Sequence, residues 1–199
     1  MTRGRIVVDL FTTLDGVAQA PGGPDEDPSG GFPFGGWQME YDDEVIGAAV
    51  GAGILRMDAL LLGRRTYDIF AAYWPHHTDG PEGFIGRHFD AIPKYVATRG
   101  DLEPAWAGTT VLDAATLAAE VDALRDRHAE IHVIGSVDLV QTLLRERLFD
   151  ELTLWVHPLV LGQGKKVFPD GAAHGRLRLV EPAVTGPTSV VMLRYAPEA

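Results

Sequence analysis

The hydrophobic positions of this chain change period along its length, and each change marks an element. Residues 5–13 (RIVVDLFTT) are β-branched and apolar and read as a first strand. Residues 42–56 (DDEVIGAAVGAGILR) set small and apolar residues at helical spacing behind an acidic first turn. Gly47, Gly51 and Gly53 lower that helix's propensity but permit close packing on a sheet. DALLL at 58–62 predicts a buried strand, and GRRTYDIFAAYW at 63–74 a strand end running into a helix; a loop and a short helix follow over 75–91. PKYVAT (93–98) and TTVL (109–112) predict two more strands. Leu117, Val121 and Leu124 fall at i, i+4 and i+7 of a helix over 114–129. IHVI (131–134) is again a strand, and 136–148 a helix presenting Leu139, Leu143 and Leu144.

Beyond residue 148 the helical period disappears. ELTLWVHPLV, RLRLVEPAV and SVVMLRYA are strands with no helix between them. Alternating strands and helices imply βαβ crossovers and parallel pairing, and the helix-free end implies antiparallel strands added at one side. The predicted fold is therefore α/β: a mixed, mostly parallel sheet with helices on both faces and antiparallel C-terminal strands from 151 to 195. With 199 residues, no internal repeat and no linker, residues 1–199 read as one domain. Residues 20–36 (APGGPDEDPSGGFPFGG) are too rich in Gly, Pro and Asp for either period. A loop of that length is functional or disordered, and its aromatics favour one that folds over something.

Charge narrows the partners. Seventeen basic against 28 acidic residues leave a net charge of -11, which repels nucleic acid and anionic membranes and makes any basic island conspicuous. There is no cysteine, which removes disulfides, thiolate nucleophiles and cysteine-based zinc sites. The N-terminal apolar run is short and broken by Asp9, unlike a signal peptide, and no stretch approaches the ~18 to 20 apolar residues of a membrane span. A cytoplasmic location is expected.

Two turns could carry chemistry. At LLLGRRTYD a buried strand ends at Gly63, and Arg64, Arg65 and Thr66 occupy the first turn of a helix. Two cations there oppose the helix dipole unless an anion binds, and free N–H groups, a hydroxyl and two guanidinium groups suit a phosphate. The alternative is two arginines pointing into solvent. At IHVIGSVDLVQTLL a strand runs into Gly135 and Ser136 and then a helix, which suits a diphosphate but is also an ordinary capped turn. Asp138 in its first turn supports the second view. The GxGxxG and GxSxG patterns are absent, and LGQGKKVF at 161–168 lacks the spacing of a phosphate loop. The adjacent His76 and His77 have no metal-ligand spacing, so no metal is expected.

Taken together, TTLDG (12–16), DALLLGRRTYDIFAAYW (58–74), YVATR (95–99), IGSVDLVQTLL (134–144) and HPLVLGQGKKVF (157–168) resemble the dihydrofolate-reductase-like superfamily. The closest likeness is to the reductase domain of riboflavin biosynthesis and its small stand-alone relatives. The resemblance implies NADPH as cofactor. Residues like Gly63, Arg64, Arg65 and Thr66 hold its adenosine phosphate end in that family, and those like Thr98 and Arg99 flank the adenine and 2′-phosphate. The segment like Ile134, Gly135, Ser136, Val137 and Leu139 runs along the diphosphate and nicotinamide. The segment like Leu14, Asp15 and Gly16 borders nicotinamide and substrate, with a mobile loop after it. Many relatives have Gly-Gly where this chain has Gly135 and Ser136. The acid that holds the pterin in dihydrofolate reductases has Asp42 or Asp43 as its candidates here. With no cysteine for its zinc site, the deaminase that often accompanies the riboflavin reductase is not expected here.

The resulting expectation is an NADPH-dependent reductase of a C=N or C=O group in a pterin-like, pyrimidine-like or other small metabolite. Asp15, Trp37 and Tyr73 are its pocket candidates, although each also has a plain role in a turn or in packing. The alternatives are a non-catalytic NADP(H)-binding sensor or partner module, and an anion binder using the Gly63 turn alone. Relatives dimerise, so a homodimer is expected, with residues 20–36 as a mobile lid carrying Phe32, Phe34 or Trp37 over the substrate. Arg64, Arg65 and Arg99 are expected to form one basic cluster that reads the 2′-phosphate.

Overall fold

Strand β1 (Arg5–Thr13) sends Ile6, Val8 and Leu10 into one hydrophobic layer and Val7, Asp9 and Phe11 to the opposite face. Layers on both faces make β1 central. The computed structural model describes residues 3–198 and places eight further strands among them. These are β2 (Ala59–Gly63), β3 (Lys94–Thr98), β4 (Thr109–Asp113), β5 (Glu130–Ile134), β6 (Glu151–His157), β7 (Leu177–Leu179), β8 (Val184–Thr185) and β9 (Val191–Pro197). Five α-helices connect them: α1 (Glu44–Arg56), α2 (Arg64–Tyr73), α3 (Gly83–Ala91), α4 (Leu117–Arg125) and α5 (Val137–Arg145).

The strand order is β4-β3-β2-β5-β1-β6-β9-β7, with β8 also paired to β9. The run from β4 to β6 is parallel throughout, while β9 is antiparallel to β6, β7 and β8. The predicted architecture is what forms. On one face, Leu117, Val121 and Leu124 of α4 and Val140 and Leu143 of α5 pack against Ile6, Val8, Ile131 and Val133. On the other, Ile54 of α1, Tyr67 of α2 and Phe89 of α3 pack against Leu60, Leu62 and Val96. Helices after β1 and β2 therefore lie on one face and those after β4 and β5 on the other. β5 sits between β2 and β1, so the change of face falls at these three strands, and at their carboxyl ends open α/β sheets place ligands.

Element ends depart from the periodicity where local bonds intervene. Asp43 caps α1 by accepting the Ile46 N–H at 2.8 Å. Arg147 takes a left-handed φ of 55° and Leu148 donates back to the Leu143 carbonyl at 2.8 Å, so α5 stops before residue 148. Residues 20–36 do fold over something. Phe32 and Trp37 are 7% and 8% exposed, packed with Val17 and Ala20 against Phe11, Leu159 and Leu161. Phe34 alone stays open, at 41%. The aromatics expected on a mobile lid are thus mostly core.

The far end of the sheet shows how strictly buried charge is matched. Lys94, the first residue of β3, has no solvent exposure. Its Nζ donates to the carbonyls of Phe89 and Asp90 at 3.0 and 3.1 Å and lies 4.7 Å from the centroid of Trp106. Those carbonyls end α3 and have no partner within the helix. Burial pushes the ammonium pKa below its ordinary value, with Asp90 pulling the other way. Lys94→Met keeps the stem but strands two carbonyls, and urea unfolding should register a loss of about 1–3 kcal/mol.

Candidate functional site

The two turns picked out in the sequence are one structure. β2 ends at Gly63, which precedes α2 without a side-chain cap, and β5 leads through Gly135 to Ser136, which precedes α5 without one. The Gly63 N–H donates to Ser136 Oγ at 2.8 Å, and the Ser136 N–H donates to Thr66 Oγ1 at 2.9 Å. Gly135 and Ser136 both take left-handed backbone, with φ of 62° and 56°. Glycine adopts that conformation freely, whereas serine pays about 1–2 kcal/mol for it. The bond from Gly63 offsets this cost, which explains how serine stands in the second position. The first-turn amides of α2 and α5 have no side-chain cap, a donor set that fits an anionic diphosphate. Val137 and Leu139, expected along the same ligand, bury their side chains in the core and offer only backbone. Ile134 packs against the opposite layer.

The three expected arginines do not form one cluster. Arg64 donates Nε to both Asp68 oxygens at 3.0 Å and Nη1 to the Asp101 carbonyl at 2.8 Å. It therefore leans towards the end of β3, where Thr98 Oγ1 accepts the Gly100 N–H at 3.1 Å and Arg99 lies exposed with no ion pair among the described residues. Arg65 turns the other way. Its Nη1 donates to Asp27 Oδ1 at 2.8 Å and to Ser29 Oγ at 2.5 Å, and Lys165 Nζ reaches Asp27 Oδ2 at 2.6 Å. Consecutive helical residues point about 100° apart, so neighbours in sequence serve different sites. Burial would raise the Asp27 pKa, but Lys165, Ser29 and Arg65 together bring it down to about 2.

A third group went unnoticed in the sequence. Asp9 lies opposite Ile134 in the β1–β5 register, and its carbonyl accepts the Gly135 N–H at 3.3 Å. Its carboxylate meets His132 Nδ1 at 2.6 Å, and Glu130 meets His132 Nε2 at 2.8 Å. Both ring nitrogens face carboxylates, so both donate, and the buried ring is an imidazolium. Burial would lower the His132 pKa; the hydrogen bonds and charges of Asp9 and Glu130 raise it instead, to about 9. Glu130 is held at about 2, chiefly by its bond to His132, against burial and with help from Arg56 and Arg5. On the next strand Thr153 pairs in register with Asp9, and its buried Oγ1 has no partner. The available signals were an aspartate inside an apolar strand and a Glu-x-His spacing that puts both groups on one face of a strand.

Residues 5–191 match the RibD C-terminal domain. The chain belongs to that family. The uncharacterized protein YyaP of Bacillus subtilis (strain 168) is 27% identical over 197 residues, covering 96% of this chain and 94% of its own. A putative riboflavin biosynthesis protein from Shewanella sp. PV-4 superposes with a TM-score of 0.66 at 19% identity, covering 98% of this chain and 99% of that one. Dihydrofolate reductase from Enterococcus faecalis, solved with NADP(H), superposes with a TM-score of 0.57 at 14% identity, covering 99% and 98%. The fold is dihydrofolate-reductase-like, as the sequence resemblance implies.

Within this RibD-type domain the pocket candidates separate. Asp15 is a turn lock: Oδ1 accepts from Thr13 Oγ1 at 2.6 Å and Leu161 N–H at 3.2 Å, and Oδ2 from Gly162 N–H at 2.8 Å. Burial opposes its ionisation, but these donors outweigh it and lower its pKa. Trp37 donates Nε1 to the Gln19 carbonyl at 2.8 Å and meets His157 edge-on, with centroids 5.0 Å apart. Both residues contact the segment after β6. Tyr73 does not join them; it stacks on His77 at 3.6 Å, about 13 Å along α2 from Arg64. Asp43 is committed to capping α1 and to the Thr188 hydroxyl, so it is not free to hold a base. His157, unremarked in the sequence, is caged by Phe11, Trp37 and Tyr41; burial lowers its pKa, against the Trp155 and Thr12 carbonyls.

The histidinium gives the domain a pH signature. The His132 pKa is raised from 6.5 to about 9, so its contribution to stability is complete below pH 6.5 and is lost as pH rises through about 9. Linkage bounds it at about 3 kcal/mol. Urea unfolding of wild type at pH 6, 7.5 and 9.5 should show that decline, and His132→Gln should flatten it. Parallel curves for the two proteins would mean that the ring is not charged in the folded state.

Proposed function

We propose that the protein is an NADPH-dependent reductase of a C=N or C=O group in a small pterin-like, pyrimidine-like or related metabolite. The observation that carries this is the pair of uncapped helix N-termini joined through Ser136 at the ends of β2 and β5. When bound there, the cofactor supplies the hydride. The first-turn N–H groups of α2 and α5 and the hydroxyls of Thr66 and Ser136 hold its diphosphate, Gly63 and Gly135 let the backbone approach it closely, and Arg64 with Thr98 and Arg99 receives the 2′-phosphate. Asp9 stands one strand pairing from Gly135 on the face that carries His132, and it is the group best placed to hold the substrate and return a proton from the imidazolium. Relatives named for riboflavin biosynthesis and for dihydrofolate reduction supply the substrate classes to try first.

Calorimetric titration and a turnover panel test this reading. Wild type should bind NADPH at least tenfold more tightly than NADH, since one charge-assisted hydrogen bond contributes about 1.5–3 kcal/mol. Arg64→Ala should erase most of that preference, whereas Arg65→Ala should affect both cofactors in proportion. NADPH oxidation is then followed with 7,8-dihydrofolate, 5-amino-6-(5-phosphoribosylamino)uracil, cyclic imines and aldehydes. Asp9→Asn should slow whichever reaction occurs at least tenfold while leaving NADPH affinity within twofold. Equal affinity for the two cofactors removes the 2′-phosphate site, and tight binding without oxidation of any compound favours a sensor.

The domain also has a surface suited to a second copy. On the face of β6 and β9 away from α1, Leu154, Val156, Val191, Leu193 and Tyr195 remain partly open. Beside them Leu14, Phe168 and Leu179 are 65%, 48% and 45% exposed. An apolar patch of this kind supports a homodimer. Light scattering at micromolar concentration should give twice the chain mass, and Phe168→Glu should shift it towards monomer. A monomeric wild type would remove this assembly.

A further inference from the structure

Buried histidines on β5 and β6 are satisfied in opposite ways. His157 faces backbone carbonyls, that of Trp155 at 2.9 Å, and burial lowers its pKa. Backbone acceptors suffice for a neutral ring, which has one N–H to place. His132, 1% exposed, instead meets carboxylates at both nitrogens, Asp9 at 2.6 Å and Glu130 at 2.8 Å. Two acids are costly to bury, and what they add over carbonyls is a second proton on the ring.

The two ends of this unit differ. Glu130 Oε1 also takes Arg56 Nε at 3.3 Å, and Arg5 adds to the positive field there. Glu151 of β6 is shared by Arg5 and Arg194. Asp9 has no second cation among the described residues, and its side chain is 20% exposed. Its carbonyl accepts the Gly135 N–H at 3.3 Å, so the open end of the unit stands beside the Gly135 turn. Thr153, its partner in register on β6, keeps a buried hydroxyl without a partner. The sheet face around Asp9 therefore offers more hydrogen-bonding groups than the chain itself uses.

We propose that His132 stores the proton of the reduction and thereby selects a C=N substrate over a C=O one. The Nδ1 proton passes to Asp9 Oδ2 and from that carboxyl to the substrate nitrogen, which becomes an iminium. The iminium carbon then accepts hydride from the dihydronicotinamide, the π electrons of the C=N bond become a nitrogen lone pair, and the product is an amine. His132 is left neutral with its Nε2 proton facing Glu130. Once the product departs, solvent protonates Asp9 and through it Nδ1. A C=N nitrogen is basic enough to take that proton before hydride arrives, whereas a carbonyl oxygen is not. Asp9 is the catalytic residue, and His132, acting through it, is a positioning residue. The inference rests on the reductase reading above.

Nitrogen NMR and a matched set of small substrates test it on the full chain. In protein labelled with nitrogen-15 histidine, both His132 nitrogens should be protonated at pH 8, below the ring pKa of about 9. One bare ring nitrogen at that pH overturns the store. NADPH oxidation is then followed at pH 8 with 1-pyrroline, N-methyl-1-pyrrolinium and cyclopentanone. The imine should react at least a hundredfold faster than the ketone. His132→Gln, with its thermal melt confirming the fold, should lower kcat for 1-pyrroline at least tenfold. The permanently charged N-methyl-1-pyrrolinium needs no proton and should rescue the variant to within threefold of wild-type kcat. Equal losses on imine and iminium, or a ketone reduced as fast as the imine, overturn the inference and leave the reductase reading standing. NADPH bound but oxidised by none of these compounds, nor by those of the earlier panel, removes the reductase reading and the inference together.

Discussion

The site depends on the hydroxyl of Ser136. It accepts the Gly63 N–H while the amide of the same residue donates to Thr66, so the ends of β2 and β5 are bonded to each other through the first turn of α2. Without that bridge the left-handed backbone at residue 136 would be uncompensated strain. With it, the two helix starts are held side by side and left uncapped. The same two bonds explain why a dihydrofolate-reductase-like sheet can carry serine at this position.

Around this bridge the domain spends its few buried charges with care. Parallel strands covered on both faces read as nearly continuous apolar runs, so each polar residue inside them needs a partner. Asp9, His132 and Glu130 answer that need with two carboxylates on one imidazolium, directly beside the turn. Lys94 answers it at the opposite end of the sheet with helix carbonyls and the Trp106 ring. The two differ in what they leave available. Lys94 is sealed, whereas the Asp9 side chain keeps 20% of its surface open.

The loop over 20–36 joins the Gly63 turn to the strand-only end of the chain. Gln19 anchors its backbone, Phe32 and Trp37 anchor its side chains, and Asp27 anchors its charge. Backbone, apolar contacts and ion pairs thus hold one loop at once, and the Asp27 carboxylate ties α2 to the segment after β6.

By itself the sequence determined the order and kind of nearly every element, because strand and helix periods are local properties that a short window reveals. It showed the alternating part, the helix-free end and the two glycine turns. It missed by a few residues where a local bond ended a helix, as at Arg147, or where Val180 and Glu181 broke the expected strand into β7 and β8. Tertiary structure alone decided which charges meet. Arg64 and Arg65 are adjacent in the chain yet serve Asp101 and Asp27 on opposite sides, because the helix rotates their side chains apart. Asp9 and His132 are distant in the chain yet form one ion pair, because β5 is inserted beside β1. Periodicity records which face a residue occupies, but the partner across that face depends on strand order, which only the folded sheet establishes.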